Sequence, residues 1–275
     1  MEIHLGPSGV PISCKSSSSI DGVKRVAELG LNAMEVSYTH GIHMSLETAK
    51  ELGNVAKDLN VELSIHVPYF INLASKDEEK IKASKKRILD SLERGVLMNA
   101  TIVAVHVGYY GGNKEISTKL ILENCKDIDE EIETNGWKTL FGIETMGKQK
   151  AWGTLDEIIK LCKKMKNIVP YLDPAHMYAR DGGFIDYTEI FDKLKVLKLK
   201  KIHSHFSGIR YSLVGIGRGN EIHHVPLKQA GPDFEEFAKE VLKRKLNITI
   251  ISESPILEKD SLLMKKIFEK LGYKF

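Results

Sequence analysis

Short runs of β-branched and other apolar residues alternate along this chain with longer segments whose apolar positions recur every three or four residues. The short runs predict strands at residues 3–6, 33–37, 61–67, 102–107, 140–144, 168–173, 201–206 and 248–253. The amphipathic segments predict helices at 21–29, 46–59, 77–98, 116–133, 155–165, 187–197, 234–246 and 262–271. In the segment 77–98, Ile81, Ile88, Leu89, Leu92 and Val96 fall on one stripe, so its many lysines and acids form a solvated face. The run 102–107 is apolar almost throughout, as a parallel strand covered on both faces should be. Repeated β-α units without a Pro/Gly-rich linker predict an α/β protein, a closed (β/α)8 TIM barrel forming a single domain over residues 1–275. An open doubly wound sheet is the alternative. It is weaker because the turn after the first strand, Gly6-Pro-Ser-Gly9, lacks the GxGxxG spacing that brings a dinucleotide pyrophosphate to a helix N-terminus.

Composition narrows the picture. A chain of 275 residues buries a large core, and a formal net charge of +3 neither demands nor excludes a nucleic-acid partner. No apolar run approaches the roughly 18–20 residues needed to span a bilayer, and the first residues lack the pattern of a signal peptide, so the expectation is a cytoplasmic protein with no membrane partner, acting as a monomer. Three dispersed cysteines, Cys14, Cys125 and Cys162, argue against a disulfide framework and against a thiolate zinc cluster.

The chemistry concentrates where the predicted strands end. In a barrel of this type the C-terminal strand ends carry the active site. His66 closes the third strand, His106 the fourth, Glu144 the fifth and Asp173 the sixth, with His176 three residues on. His203 and His205 lie on the seventh strand and Glu253 ends the eighth, while the long segment after the seventh adds Glu221, His223 and His224. Any one of these has a bland explanation, since a strand-end Asp often caps the next helix and a lone His is often a satisfied core residue. Together they are costly to bury in one ring unless a cation compensates them. Imidazole with carboxylate and no thiolate suits Zn2+, with Mn2+ or Fe2+ also fitting, and so many ligands suit two or three ions rather than one. Phosphodiester hydrolysis is the reaction such a cluster serves best.

The motifs His66-Val-Pro-Tyr-Phe-Ile-Asn-Leu73, His106-Val-Gly108, Gly142-Ile-Glu144-Thr, Leu172-Asp173-Pro-Ala-His176, His205-Phe-Ser-Gly208, Glu221-Ile-His223-His and Ser252-Glu253-Ser, taken together and in order, resemble the endonuclease IV family. That resemblance implies a zinc-dependent enzyme of DNA base excision repair that cuts double-stranded DNA 5′ to abasic sites. By the same resemblance, His66, His106 and Glu144 would hold one ion; Glu144, Asp173, His205 and Glu253 a second; and His176, Glu221 and His223 a third. Glu144 and Glu253 would serve the reaction directly, in which a hydroxide bridging the metals attacks phosphorus. Tyr69 matches a position that contacts DNA in the family, and Arg180 and Arg210, with Lys148, Lys150 and Arg218, are candidate substrate or phosphate contacts. His205 is preferred over His203 because it lies nearer the strand end. Where the family carries Asp at the third site this chain has Glu221, and after the second strand it has Ser37-Tyr-Thr-His-Gly-Ile-His-Met44 in place of a basic, Trp-bearing loop.

Two other functions share these features. A divalent-metal sugar isomerase or epimerase of the xylose-isomerase-like group uses the same barrel with fewer ligands, and a non-catalytic metal-containing nucleic-acid binder would keep the ligands without the reaction.

Overall fold

The computed structural model describes residues 1–39 and 41–275; His40, within the segment after the second strand, lies outside the described residues. Strands β1 (Ile3–Pro7), β2 (Ala33–Ser37), β3 (Glu62–His66), β4 (Ile102–Val105), β5 (Leu140–Glu144), β6 (Ile168–Leu172), β7 (Ile202–Phe206) and β10 (Ile248–Ser252) form one parallel sheet. Neighbours in the sheet are neighbours in this series, and β10 pairs with β1 in register Ile3↔Ile248 to Pro7↔Ser252. The remaining seam, between β1 and β2, is closed by the parallel bridge Ser8↔Glu35 and by backbone bonds from Gly9 N to Glu35 O and from Asn32 N to Leu5 O. Gly6 lets the two strands meet: a Cβ there would lie 1.6 Å from the carbonyl oxygen of Ala33. The result is the (β/α)8 TIM barrel that the periodicity predicts.

Helices α1 (Ser19–Glu28), α2 (Leu46–Asp58), α3 (Glu78–Met98), α4 (Lys114–Thr134), α5 (Leu155–Cys162), α7 (Tyr187–Leu194), α8 (Phe234–Arg244) and α9 (Glu258–Lys270) surround the barrel. Most begin where the sequence supplies an oxygen for the unpaired N–H groups of the first turn: Ser45, Asp77, Asn113, Asp186 and Asp233 accept such bonds, and Thr154 with Glu157 makes a reciprocal capping box. Their apolar stripes cover the outer face of the sheet, where Val103, Val105, Phe141, Ile143 and Phe206 are fully buried. None of the described helices is long and apolar enough to cross a membrane.

Two elements go beyond the predicted pattern, and both lie on the C-terminal face. A short helix, α6 (Pro174–Arg180), begins directly after β6, and the segment after β7 is an antiparallel hairpin of β8 (Gly208–Gly215) and β9 (Arg218–Val225) rather than a loop. The barrel interior also departs from the usual filling of branched apolar side chains. Ile102, Ala104 and Tyr171 form a small apolar cluster inside it, while Glu35, Ser64, His203 and Thr249 are buried polar groups.

Candidate metal centre

Glu144, at the end of β5, is fully buried at the centre of the C-terminal mouth. Its Oε2 lies 3.2 Å from Nε2 of His66 and 3.0 Å from Nε2 of His106. Its Oε1 lies 3.2 Å from Nδ1 of His176 and 3.2 Å from Nδ1 of His205. Glu253 Oε1 is 3.6 Å from His205 Nδ1, and Asp173 Oδ2 is 3.3 Å from His176 Nδ1. Donor atoms held about 2.1 Å from one ion in a tetrahedron stand about 3.4 Å apart, so the spacings of Glu144 from His66 Nε2, His106 Nε2 and His205 Nδ1 are compatible with coordination. Three groups bring their donor atoms within 4.8 Å of one another: His66, His106 and Glu144; Glu144, Asp173, His205 and Glu253; and Asp173, His176, His224 and Glu253.

Buried polar atoms are ordinarily paired. Of the buried side-chain atoms without a hydrogen-bond partner among the described residues, Glu144 Oε1, Asp173 Oδ2, His205 Nδ1 and Glu221 Oε2 all belong to this mouth. Their charges are balanced by imidazole protons. Burial alone would raise Glu144, but the His106 and His205 imidazoles and hydrogen bonds from His106 and His176 hold it well below the usual carboxylate range. Burial disfavours a charged His66, yet the hydrogen bond and charge of Glu144, backed by Glu35 and Glu253, raise its pKa to about 9. Asp173 is pushed up by burial despite His176 and His224. Cations placed among these groups would take over the role of those protons and release them, which is how imidazole–carboxylate sites load metal. The residues present therefore fit divalent ions.

Asp173 serves two purposes at once. Its Oδ1 accepts from the backbone N–H of His176 at 2.9 Å as the N-cap of α6, whose first residue is Pro174, while Oδ2 is left facing the cluster. The capping role is met by one oxygen, and the other is left available to a ligand.

The third group corrects one expectation. In a regular strand Glu221 and His223 would share a face, but β9 carries a bulge: Arg210 pairs with His223 and Tyr211 with Glu221, leaving Ile222 as the extra residue. The bulge turns His223 outward, where it is exposed, and turns His224 inward, with Nε2 3.5 Å from Glu253 Oε2 and its ring centroid 5.1 Å from that of His176. Glu221 also reaches the mouth, its Oε2 3.4 Å from His176 Nε2, in space left by Gly147, and its Oε1 pairs with Lys148 at 3.3 Å. His224→Ala is expected to lower the divalent metal found by elemental analysis by about one ion per chain, and His223→Ala to leave it unchanged. Loss in His223→Ala alone would restore the original assignment.

The remaining predicted residues divide. His205 joins the cluster, whereas His203 lies one layer deeper, where burial lowers its pKa to about 4. Tyr69 is exposed at the rim, its ring centroid 5.8 Å from that of His66 and 6.4 Å from that of His106. Arg180 is not available to substrate. It is buried, and its guanidinium donates to the carbonyls of Met146, Lys148 and Ala151, so that it braces the loop after β5 against α6. Arg210 is exposed on the outer side of the hairpin, opposite His223. Glu35, outside the strand-end pattern, is a fully buried carboxylate in the middle of β2 that bonds His205 Nε2 at 2.9 Å. Its signal in the sequence is one acidic residue within a largely apolar strand.

A parallel eight-stranded barrel with overlapping His/Asp/Glu groups at its C-terminal mouth defines a class of metal-handling TIM barrels. Residues 23–267 match the family described as the xylose isomerase-like TIM barrel, and the chain belongs to that family. An uncharacterized protein of Methanocaldococcus jannaschii is 33% identical over 277 residues, covering 97% of this chain and 97% of its own length. A probable endonuclease 4 of Sulfurihydrogenibium sp. is 27% identical over 175 residues, covering 57% of this chain and 62% of that protein. Among solved structures, a D-tagatose 3-epimerase-like protein superposes with a TM-score of 0.77 at 20% identity, over 98% of this chain and 96% of that one. Family and fold together indicate an enzyme, and the described residues include groups that could hold a metal ion.

Proposed function

We propose that this protein is a metal-dependent phosphodiester hydrolase that cuts double-stranded DNA on the 5′ side of abasic sites, with zinc as its metal. The observation that carries this reading is the overlap of three ligand groups through Glu144, Asp173 and Glu253, which serves adjacent ions rather than one. Bound divalent ions supply Lewis acidity toward phosphoryl oxygens and a source of hydroxide near neutral pH. The chain's own residues prepare that site. His66 Nδ1 donates to the Val67 carbonyl at 2.8 Å, and His176 Nδ1 to the Thr145 carbonyl at 3.0 Å; a carbonyl only accepts, so each ring presents Nε2 as its free donor atom. Glu144 and Glu253 hold the reacting centre between strands β5 and β10. Around the mouth, exposed Tyr69, Phe70 and Tyr109 offer stacking faces, and Lys150 offers charge to a phosphate backbone. Resemblance to probable endonuclease 4 proteins supports the same substrate.

A second reading rests on a specific observation. Glu144, Asp173, His205 and Glu253 are by themselves a full ligand set for one ion, and the D-tagatose 3-epimerase-like neighbour shares the barrel throughout. The deciding experiment incubates the protein with a duplex bearing one abasic site, before and after chelation and zinc return. A single cut 5′ to the lesion that disappears with chelator and returns with zinc is the expected result. An intact duplex together with ketose epimerisation would replace the nuclease by the epimerase.

A further inference from the structure

Among the described residues, Glu35 is the one fully buried carboxylate of the upper barrel that contributes to none of the three ligand groups. It lies mid-strand on β2, one layer below the cluster, and every side-chain partner it has is a donor. Ser8 Oγ reaches Oε1 at 3.0 Å and Ser64 Oγ reaches Oε2 at 3.0 Å. Tyr171 OH reaches Oε2 at 3.1 Å, and His205 Nε2 reaches Oε1 at 2.9 Å. An ionised carboxylate is acceptor-only with about four lone-pair positions, so these four donors saturate it. Glutamine would offer one acceptor oxygen and an amide donor, which two of these partners could meet only by reversing their hydroxyls.

The consequence falls on His205. Its ring is fully buried and has two directions in which to use its nitrogens: Nε2 meets Glu35, and Nδ1 points at Glu144 Oε1 (3.2 Å) and Glu253 Oε1 (3.6 Å) without a hydrogen-bond partner. The Tyr171 ring packs against the imidazole with centroids 4.5 Å apart, which limits rotation about the ring's attachment. We propose that Glu35 is a positioning residue for the metal centre: by accepting Nε2–H it fixes His205 in the tautomer and orientation that present the Nδ1 lone pair to the cluster. His66 and His176 achieve the corresponding result with backbone carbonyls at Nδ1 and therefore present Nε2. His205 alone is oriented by a carboxylate, which adds negative charge behind the ring and strengthens it as a ligand. Glu35 also takes part in barrel closure, chiefly through its backbone: the Ser8↔Glu35 bridge and the Gly9 N–H bond to Glu35 O do not involve the carboxylate, which adds one bond across that seam, from Ser8 Oγ. Glu35→Gln leaves the backbone part of closure in place, and the His205→Ala background separates what remains of it from the effect on His205.

The inference rests on the reading that the mouth holds divalent ions, and not on which substrate is cleaved. Its test is a double-mutant cycle on zinc affinity, measured by chelator competition for the natural chain, Glu35→Gln, His205→Ala and the pair. Glu35→Gln is expected to weaken one zinc ion by roughly 10–100-fold in the natural background. In the His205→Ala background it should change affinity by less than about twofold, because the residue it acts through is gone. Equal weakening in both backgrounds, or none in either, would overturn the proposal, whereas a natural chain that binds no zinc would instead overturn the metal reading beneath it. A measurement without any variant guards against a misfolded Glu35→Gln: long-range 1H–15N NMR of the zinc-loaded protein should show His205 Nε2 protonated and Nδ1 bound to metal. The opposite tautomer would sink the idea whatever the variants do.

Discussion

Glu144→Gln is expected to abolish turnover and to strip metal from the mouth, while the barrel remains folded. Glu144 is the residue at which two ligand groups meet, with imidazoles from β3, β7, the ends of β4 and α6 all within 3.2 Å of its two oxygens. Glutamine keeps the shape but removes the charge, and its amide nitrogen turns a donor toward one pair of imidazoles. Replacing an outer partner of a ligand typically costs 10–100-fold in metal affinity or activity. A ligand shared between ions stands closer to the chemistry, so the loss in activity should exceed about 100-fold. Elemental analysis should show more than one ion missing. The far-ultraviolet circular dichroism should be unchanged, because Glu144 stands at the end of its strand and glutamine keeps the shape of its side chain. Full activity in this variant would remove the metal centre from the mechanism.

The second large effect is on stability. The mouth gathers Glu144, Asp173, Glu221 and Glu253 within reach of one another, and burying that much charge is tolerable only when positive charge accompanies it. An ion that binds only the folded chain stabilises it by about 4 kcal/mol when its free concentration is roughly 1,000 times its dissociation constant. For a domain of this size that corresponds to a Tm change on the order of 10 °C. Calorimetry should therefore show a Tm lowered by about that much in excess chelator and restored by zinc. A Tm indifferent to both would mean that no ion occupies the site at working concentrations.

Much of this architecture was legible before any coordinates. The period of the apolar positions places all eight barrel strands within about two residues of where they lie, because a parallel strand covered on both faces has little freedom in what it carries. His66, His106, Glu144, Asp173, His205 and Glu253 come together as their places at strand ends require. What escaped was set by geometry that sequence spacing does not encode. The exchange of His224 for His223 depends on a single extra residue in β9, and a one-residue slip reverses every side chain beyond it. Arg180 reads as a surface cation, but α6 begins at Pro174 directly behind its N-cap Asp173 and places the guanidinium under the loop after β5. The Asp173-Pro174 pair was a helix-start signal in plain view, hidden by its other identity as a ligand. Glu35 does not stand out from the sequence because it lies mid-strand, one layer below the strand ends that carry the other acidic and imidazole groups.

The divided carboxylate of Asp173 ties loading of the mouth to order in the chain around it. One oxygen holds the first turn of α6 and the other faces the cluster, so an ion that draws Asp173 into a fixed rotamer also clamps the start of that helix. Arg180 ends the same helix and grips the loop after β5 through three of its carbonyls, and Gln149 in that loop bonds Gly219 O and, through its backbone N–H, Asn220 Oδ1 on the hairpin. Helix, loop and hairpin thus form one mechanical train. An ion held at the mouth would stiffen the rim through it, and slowed amide exchange in α6 and β9 on adding zinc would be the signature.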